Sequence, residues 1–360
     1  MNYESITVEP VSPHIGAEIG NIDLTKPLPN NQVEELHRAF IQYQVIFFRD
    51  QRISFDDHIR LGRYFGSIGK HVGGATISKT TDNPYVRKFH YDETSTQISG
   101  ENFHSDQSCG AIPPLGSILY NHTVPPDGGG DTMFASMYAA YDALSPRMRS
   151  YLSGLTATHD GRRVFGPTAP VAVHPVVIKH PATGKKVVYV NTDFTAKINE
   201  LPALEGERVL RFLIDHCNKP EWTCRFRWRA HSIAFWDNRC THHKAVWDYW
   251  PNVRSGYRIQ IEGTGAPEAD NSLEVPASLP TLARMASKCG LPSSWQTSVS
   301  SGLEVALLNR ATAASWNAEV HASPAHEAIP GRDRGRFPRS ASILASAQAA
   351  VWVQVRELCY

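Results

Sequence analysis

Short β-prone runs separated by turn-formers recur between residues 44 and 263, and they constrain the fold more than any other feature of the chain. They are 44–49 (QVIFFR), 115–123, 173–179, 186–191, 223–229, 232–236 and 253–263. Runs of this length, rich in Val, Ile, Phe and Tyr, are read as strands, and the pair flanking the turn at 181–184 reads as a hairpin. Helical spacing appears in 31–43, where Val33, Leu36, His37 and Phe40 share a face, in 55–65, in 205–216, and in 137–152 with a break at Ser145 and Pro146. The expectation is a mainly β fold with flanking helices. Residues 76–100 are polar without periodicity and are expected to form a mobile loop.

Beyond about residue 266 the character changes to Ala, Ser, Pro and Arg, with the basic stretch GRDRGRFPRS. Residues 1–265 are therefore expected to form the functional domain, and 266–360 an atypical, poorly ordered C-terminal extension. The 36 basic and 35 acidic side chains nearly cancel, so no overall field recruits nucleic acid or an anionic membrane. No apolar run approaches the length of a bilayer span, and the start MNYESITVEP shows neither a basic nor an apolar signal region, so a cytoplasmic location is expected. The six cysteines fall at irregular spacings without a CxxC pair and are expected to be free thiols.

The chemistry is concentrated in two segments. In NFHSDQS, His104 and Asp106 stand two apart, which on an extended chain places an imidazole and a carboxylate on one face. One distant histidine would complete a 2-His-1-carboxylate triad, the ligand set of non-haem Fe(2+) oxygenases, which leaves positions open for co-substrate and O2. The segment 235–258 (FWDNRCTHHKAVWDYWPNVRSGYR) offers that histidine. Adjacent residues of an extended chain face opposite ways, so His243 is taken as the ligand and His242 as a packing group. Arg258, and with less reason Arg254, offers a guanidinium fork for the remote carboxylate of a dicarboxylic co-substrate.

These residues resemble the taurine dioxygenase/TfdA family of 2-oxoglutarate-dependent dioxygenases. The resemblance runs from about residue 5 to residue 263 through GAEIGNIDL, QVIFFRDQ, FHSD, PPLGSILY, GGGDTMFASMYAAYDALS, HPVVIKHPATGKK, YVN and WDNRCTHHKA. It implies a double-stranded β-helix (jelly-roll) core with Fe(2+) held by His104, Asp106 and His243 at its mouth. It also implies that Thr132 joins the arginine at the 2-oxoglutarate carboxylate, and that His71, Phe165 and Phe194 contact substrate. The segment SGEN before the iron motif, and Gly74 where a substrate tyrosine is expected, depart from the taurine enzymes.

The implied reaction consumes O2 and 2-oxoglutarate, releases succinate and CO2, and hydroxylates a small organic anion of the sulfonate, sulfate ester or aryloxyalkanoate class. No nucleic-acid or membrane partner is expected, while self-association into a homo-oligomer is. Retention of Asp106 argues against a halogenase. Two rival readings keep the same ligands: a metal-dependent hydrolase, which has no use for a dicarboxylate pocket, and a jelly-roll metal-binding protein without oxygenase activity.

Overall fold

The computed structural model describes residues 2–70, 79–81 and 83–269, all within one compact unit, Met1–Glu274. Its strands are β1 (Thr7–Pro10), β2 (Ala17–Gly20), β3 (Val45–Phe48), β4 (Ile68–Gly69), β5 (Lys79–Thr80), β6 (Arg87–Tyr91), β7 (Gly116–Thr123), β8 (Thr132–Ser136) and β9 (Thr156–Asp160). They continue as β10 (Val171–Pro175), β11 (Val177–Lys179), β12 (Lys186–Val188), β13 (Thr195–Ile198), β14 (Thr223–Phe226), β15 (Ser232–Asp237), β16 (Thr241–Ala245) and β17 (Arg254–Ile261). The helices are α1 (Asn30–Tyr43), α2 (Phe55–Arg63), α3 (Met137–Asp142), α4 (Pro146–Leu152), α5 (Arg162–Phe165) and α6 (Ala203–Cys217).

The major sheet runs β1-β2-β3-β15-β7-β17-β6-β5, with β4 also on β17. Facing it is the three-stranded sheet β14-β8-β16, while β10-β9-β13 and the hairpin β11-β12 form separate sheets. No closed barrel forms among the described residues; the fold is mainly β with helices at its outer faces.

The central strands explain this layering. Along β3 the alternate residues Val45 and Phe47 join one apolar cluster and Ile46 and Phe48 another, as a strand buried on both faces requires. Phe47 stacks on Phe226 of the smaller sheet at 4.0 Å, and Trp236 meets Phe134 at 5.7 Å, so the two sheets press face to face. On the other side Phe40 of α1 stacks on Phe235 at 4.1 Å. Each fully buried phenylalanine contributes about 2–3 kcal/mol relative to exposure. The break foreseen at Ser145 is real: its hydroxyl accepts from Met148 N and caps α4.

Two expectations change. Residues 87–91 (RKFHY), read as part of a mobile loop, form β6 and pair antiparallel with β17 from Arg87↔Arg258 to Tyr91↔Arg254. The run is too short and too charged for its period of two to register, and burial of Tyr91 against the sheet decides its state. Ordered chain also continues past residue 265, where Lys179 N donates to Glu268 O at 2.9 Å. Cys109, Cys217, Cys224 and Cys240 are free and buried, as expected of thiols.

Candidate metal centre and co-substrate pocket

His243 is carried by β16, which pairs with β8. His104 sits in an isolated bridge opposite it, exchanging both backbone hydrogen bonds: His104 N donates to His243 O at 3.1 Å and His243 N to His104 O at 2.9 Å. This pairing brings together two imidazoles 139 positions apart in sequence, with ring centroids 4.3 Å apart. Asp106 follows not on a regular strand but at the start of a turn, with Gln107 at φ 49°. Its Oδ1 lies 3.7 Å from His104 Nε2 and 3.8 Å from His243 Nε2. All three side chains are buried, and their donor atoms lie within 4.8 Å of one another.

The surroundings leave those donors directed inward. His104 Nδ1 donates to Asn102 O at 2.9 Å, which keeps the proton on the outer nitrogen and a lone pair on Nε2. Asp106 Oδ2 accepts from Ser117 Oγ at 2.6 Å, turning Oδ1 toward the imidazoles. Burial alone would raise the Asp106 carboxyl, but Arg258, His243 and His104 hold it well below the usual carboxylate range. Burial pushes His243 well down, whereas for His104 the neighbouring Asp106 and Asp193 carboxylates outweigh burial and push it up.

The arginines are arranged differently from the expectation that Arg258 joins Thr132. Arg254 is the residue that reaches Thr132: its Nη2 donates to Thr132 Oγ1 at 3.4 Å, and Trp228 Nε1 donates to the same oxygen at 2.9 Å. Arg254 is buried, its guanidinium lies over the Trp228 ring at 5.6 Å, and its Nε has no hydrogen-bond partner among the described residues. Arg258 instead donates from Nη1 to Asp106 Oδ1 at 3.1 Å. Both side chains stand on the inner face of β17, so position along the strand separates their tasks. A cavity of about 60 Å³ links them to the histidines along Phe89, Tyr91 and Leu119.

His71 lies outside the described residues. Phe194 is buried with its ring 6.5 Å from that of His104, and Phe165 lies 5.5 Å from Phe194, so the two expected aromatic positions are neighbours beside the metal centre. His242 takes the opposite face of β16, where burial pushes it down to about 3. Ser117, Trp228 and Asp193 were not singled out from sequence. Ser117 sits in the apolar run LGSILY and Trp228 alternates with arginines in RFRWR, so both read simply as strand residues, and nothing local in YVNTDF marks Asp193 as a neighbour of His104.

The described geometry can be set beside known proteins. The family model "Taurine catabolism dioxygenase TauD, TfdA family" matches residues 7–260. A 2,4-dichlorophenoxyacetate dioxygenase dependent on alpha-ketoglutarate, from Cupriavidus pinatubonensis, is 30% identical over 67% of this chain and 92% of its own. An alpha-ketoglutarate-dependent sulfate ester dioxygenase from Pseudomonas putida is 30% identical over 74% of this chain and 93% of its own. The crystal structure of a taurine dioxygenase from Burkholderia xenovorans is 33% identical and superimposes with a TM-score of 0.66 over 74% of this chain and 94% of its own. Ligand set, pocket and these likenesses agree: the chain belongs to the TauD/TfdA family and is an alpha-ketoglutarate-dependent, that is 2-oxoglutarate-dependent, dioxygenase.

Proposed function

We propose that this enzyme uses Fe(2+), 2-oxoglutarate and O2 to hydroxylate a small organic anion of the sulfonate, sulfate ester or aryloxyalkanoate class, releasing succinate and CO2. One observation carries the reading: Nε2 of His104 and of His243 and Oδ1 of Asp106 face one another at 3.7 and 3.8 Å. Three buried ligand atoms converging this closely can hold one cation between them, and two imidazoles with one carboxylate suit non-haem iron. The metal, when bound by these three residues, supplies the redox chemistry that couples decarboxylation of 2-oxoglutarate to oxygen insertion into a C–H bond.

The protein's own residues bind and orient. Arg254, seated on Thr132, clamps the distal carboxylate of 2-oxoglutarate, the part expected first of Arg258, and its buried Nε, without a partner among the described residues, supports this. Arg258, beside Asp106, takes the anionic head of the primary substrate, and Phe165 and Phe194 wall its body. Phe89, Tyr91 and Leu119 exclude water from the co-substrate. The substrates named for the relatives, an aryloxyacetate, sulfate esters and taurine, carry such a head. The two facing sheets are read as the walls of a double-stranded β-helix, and residues 1–265 as the catalytic domain.

Anaerobic addition of Fe(2+) and 2-oxoglutarate should give a visible charge-transfer band that His104→Ala lacks; a wild-type protein without the band would sink the reading. A succinate-release screen over sulfonates, sulfate esters and phenoxyalkanoates then identifies the substrate class.

A further inference from the structure

We propose that Asp193 is a positioning residue of the metal centre: its carboxylate, oriented by Asn102, faces the outer nitrogen of His104 and keeps the inner lone pair aimed at the metal. The inference rests on the reading of His104, Asp106 and His243 as ligands.

Asp193 Oδ2 lies 3.6 Å from His104 Nδ1, the nitrogen that donates to Asn102 O at 2.9 Å. The other oxygen, Oδ1, accepts from Asn102 Nδ2 at 3.0 Å. Asn102 therefore orients the imidazole with its main chain and the carboxylate with its side chain. The loop bearing Asp193 is itself fixed. Asn191 Nδ2 donates to Ser108 Oγ at 2.9 Å, Phe194 N donates to Asn191 Oδ1 at 3.0 Å, and Asn191 N donates to Thr195 Oγ1 at 2.9 Å. Thr192 N closes the contact on Phe103 O at 3.4 Å. The same loop brings the Phe194 ring against His104.

An imidazole that gives its Nε2 lone pair to a divalent cation becomes more positive, most of all at Nδ1–H. A carboxylate facing that group stabilises the metal-bound form more than the free form. Only 15% of the Asp193 side chain and 9% of the His104 side chain are exposed, so solvent screens the interaction weakly. Asp106 brings one negative charge to the ligand set, and Asp193 adds a second just outside it.

Asp193→Asn keeps the size of the side chain and an oxygen for Asn102 while removing the charge. Full-length chain is titrated anaerobically with Co(2+) alone, read by the metal's visible absorption, and with Fe(2+) at saturating 2-oxoglutarate, read by the charge-transfer band. Loss of such an outer partner lowers metal affinity by roughly 10–100-fold. The thermal midpoint of the metal-free chain and the KM for 2-oxoglutarate at saturating metal should not move, and Asp193→Glu should restore part of the affinity. Wild-type affinity in Asp193→Asn would overturn the proposal, as would equal losses in the Asn and Glu variants with a lowered midpoint. His104→Ala separates the two levels of inference. If it keeps wild-type Co(2+) affinity the metal centre itself is misread, whereas a loss there with full affinity in Asp193→Asn removes only the positioning role.

Discussion

Two buried clusters of metal-ligating side chains, His104/Asp106/His243 and His180/Asp237/Cys240, each gather their donor atoms within 4.8 Å, and their hydrogen bonds separate them. In the second, Ala182 N and Thr183 N donate to His180 Nδ1 at 3.3 and 3.2 Å, so the proton is on Nε2, which donates to Asp237 Oδ2 at 3.1 Å. Arg239 grips both oxygens of Asp237 at 2.8 and 2.6 Å, and burial keeps the Cys240 thiol protonated by raising it well above its ordinary value. Every donor there is engaged within the protein. In the first cluster the His104 hydrogen bond falls on the outer atom, Nδ1, so that Nε2 faces inward beside His243 Nε2 and Asp106 Oδ1, and Arg258 meets that oxygen through one nitrogen where Arg239 takes both oxygens of Asp237. Proximity of ligand-type residues is thus a poor guide to a metal site; where their protons point is a better one.

The sharpest way to break this comparison is to count metal. Wild-type chain should bind one Fe(2+) or Co(2+) per chain, and His104→Ala or Asp106→Ala should abolish both binding and turnover, activity falling by about a thousandfold or more as for other unit-like sites. Two metals per chain by elemental analysis would mean that the second cluster is also a site.

The next largest effect lies in the second cluster and concerns stability. Arg239→Met leaves a buried carboxylate without its guanidinium and should cost about 3–5 kcal/mol by urea denaturation at pH 7, while the folded fraction binds metal as wild type does. The pH sense follows from Asp237, held down to about 2 by Arg239 and His180 against the upward push of burial. A carboxyl depressed in the folded state contributes stability that is present above about pH 4, the ordinary value, and is lost as pH falls toward 2. The wild-type protein should therefore lose stability over that window, and Arg239→Met should show a shallower loss there.

A third test addresses the arginines. Loss of a charge-assisted hydrogen bond costs about 1.5–3 kcal/mol, so Arg254→Ala should raise the KM for 2-oxoglutarate by roughly 10–100-fold. Arg258→Ala should leave it within about threefold and act on the primary substrate instead. Steady-state succinate release measures both, and the opposite pattern would return the co-substrate carboxylate to Arg258.

The difficulty of that assignment shows what sequence conveys here. The triad was legible because few side chains ligate iron and the i, i+2 spacing of His104 and Asp106 brings them to one side even though a turn, not a strand, carries Asp106. Strands β3, β7, β15 and β17 were legible from their apolar runs. Arg254 and Arg258, four apart on one strand face, are equivalent in sequence; only the packing of β17 beside the smaller sheet decides which meets Thr132. Strands β8 (TMFAS) and β16 (THHKA) were not foreseen, the first because it is short and the second because its polar residues serve the site rather than a pattern. The His180/Asp237 pair joins residues 57 apart, and no local signal announces it.

The smallest effect concerns how Asp106 escapes the fate of Asp237. One guanidinium grips both oxygens of Asp237, whereas Asp106 divides its oxygens: Oδ1 accepts from Arg258, and Oδ2 is held by the hydroxyl of Ser117, which in turn accepts from Asn238 Nδ2 at 3.2 Å, with Trp236 Nε1 steadying Asn238 at 2.9 Å. This chain fixes one oxygen and leaves the other directed inward. Ser117→Ala should free Oδ2 to turn onto Arg258 as well, so that one guanidinium holds both oxygens of Asp106 as Arg239 holds those of Asp237. Metal affinity should then fall by about tenfold, the lower end for an outer-shell partner, with maximal turnover at saturating metal close to wild type. Arg258→Met in the same background should restore much of the affinity, because rotation then gains no ion pair. Independent, additive effects of the two substitutions would show that Ser117 supports the local packing and does not aim the carboxylate.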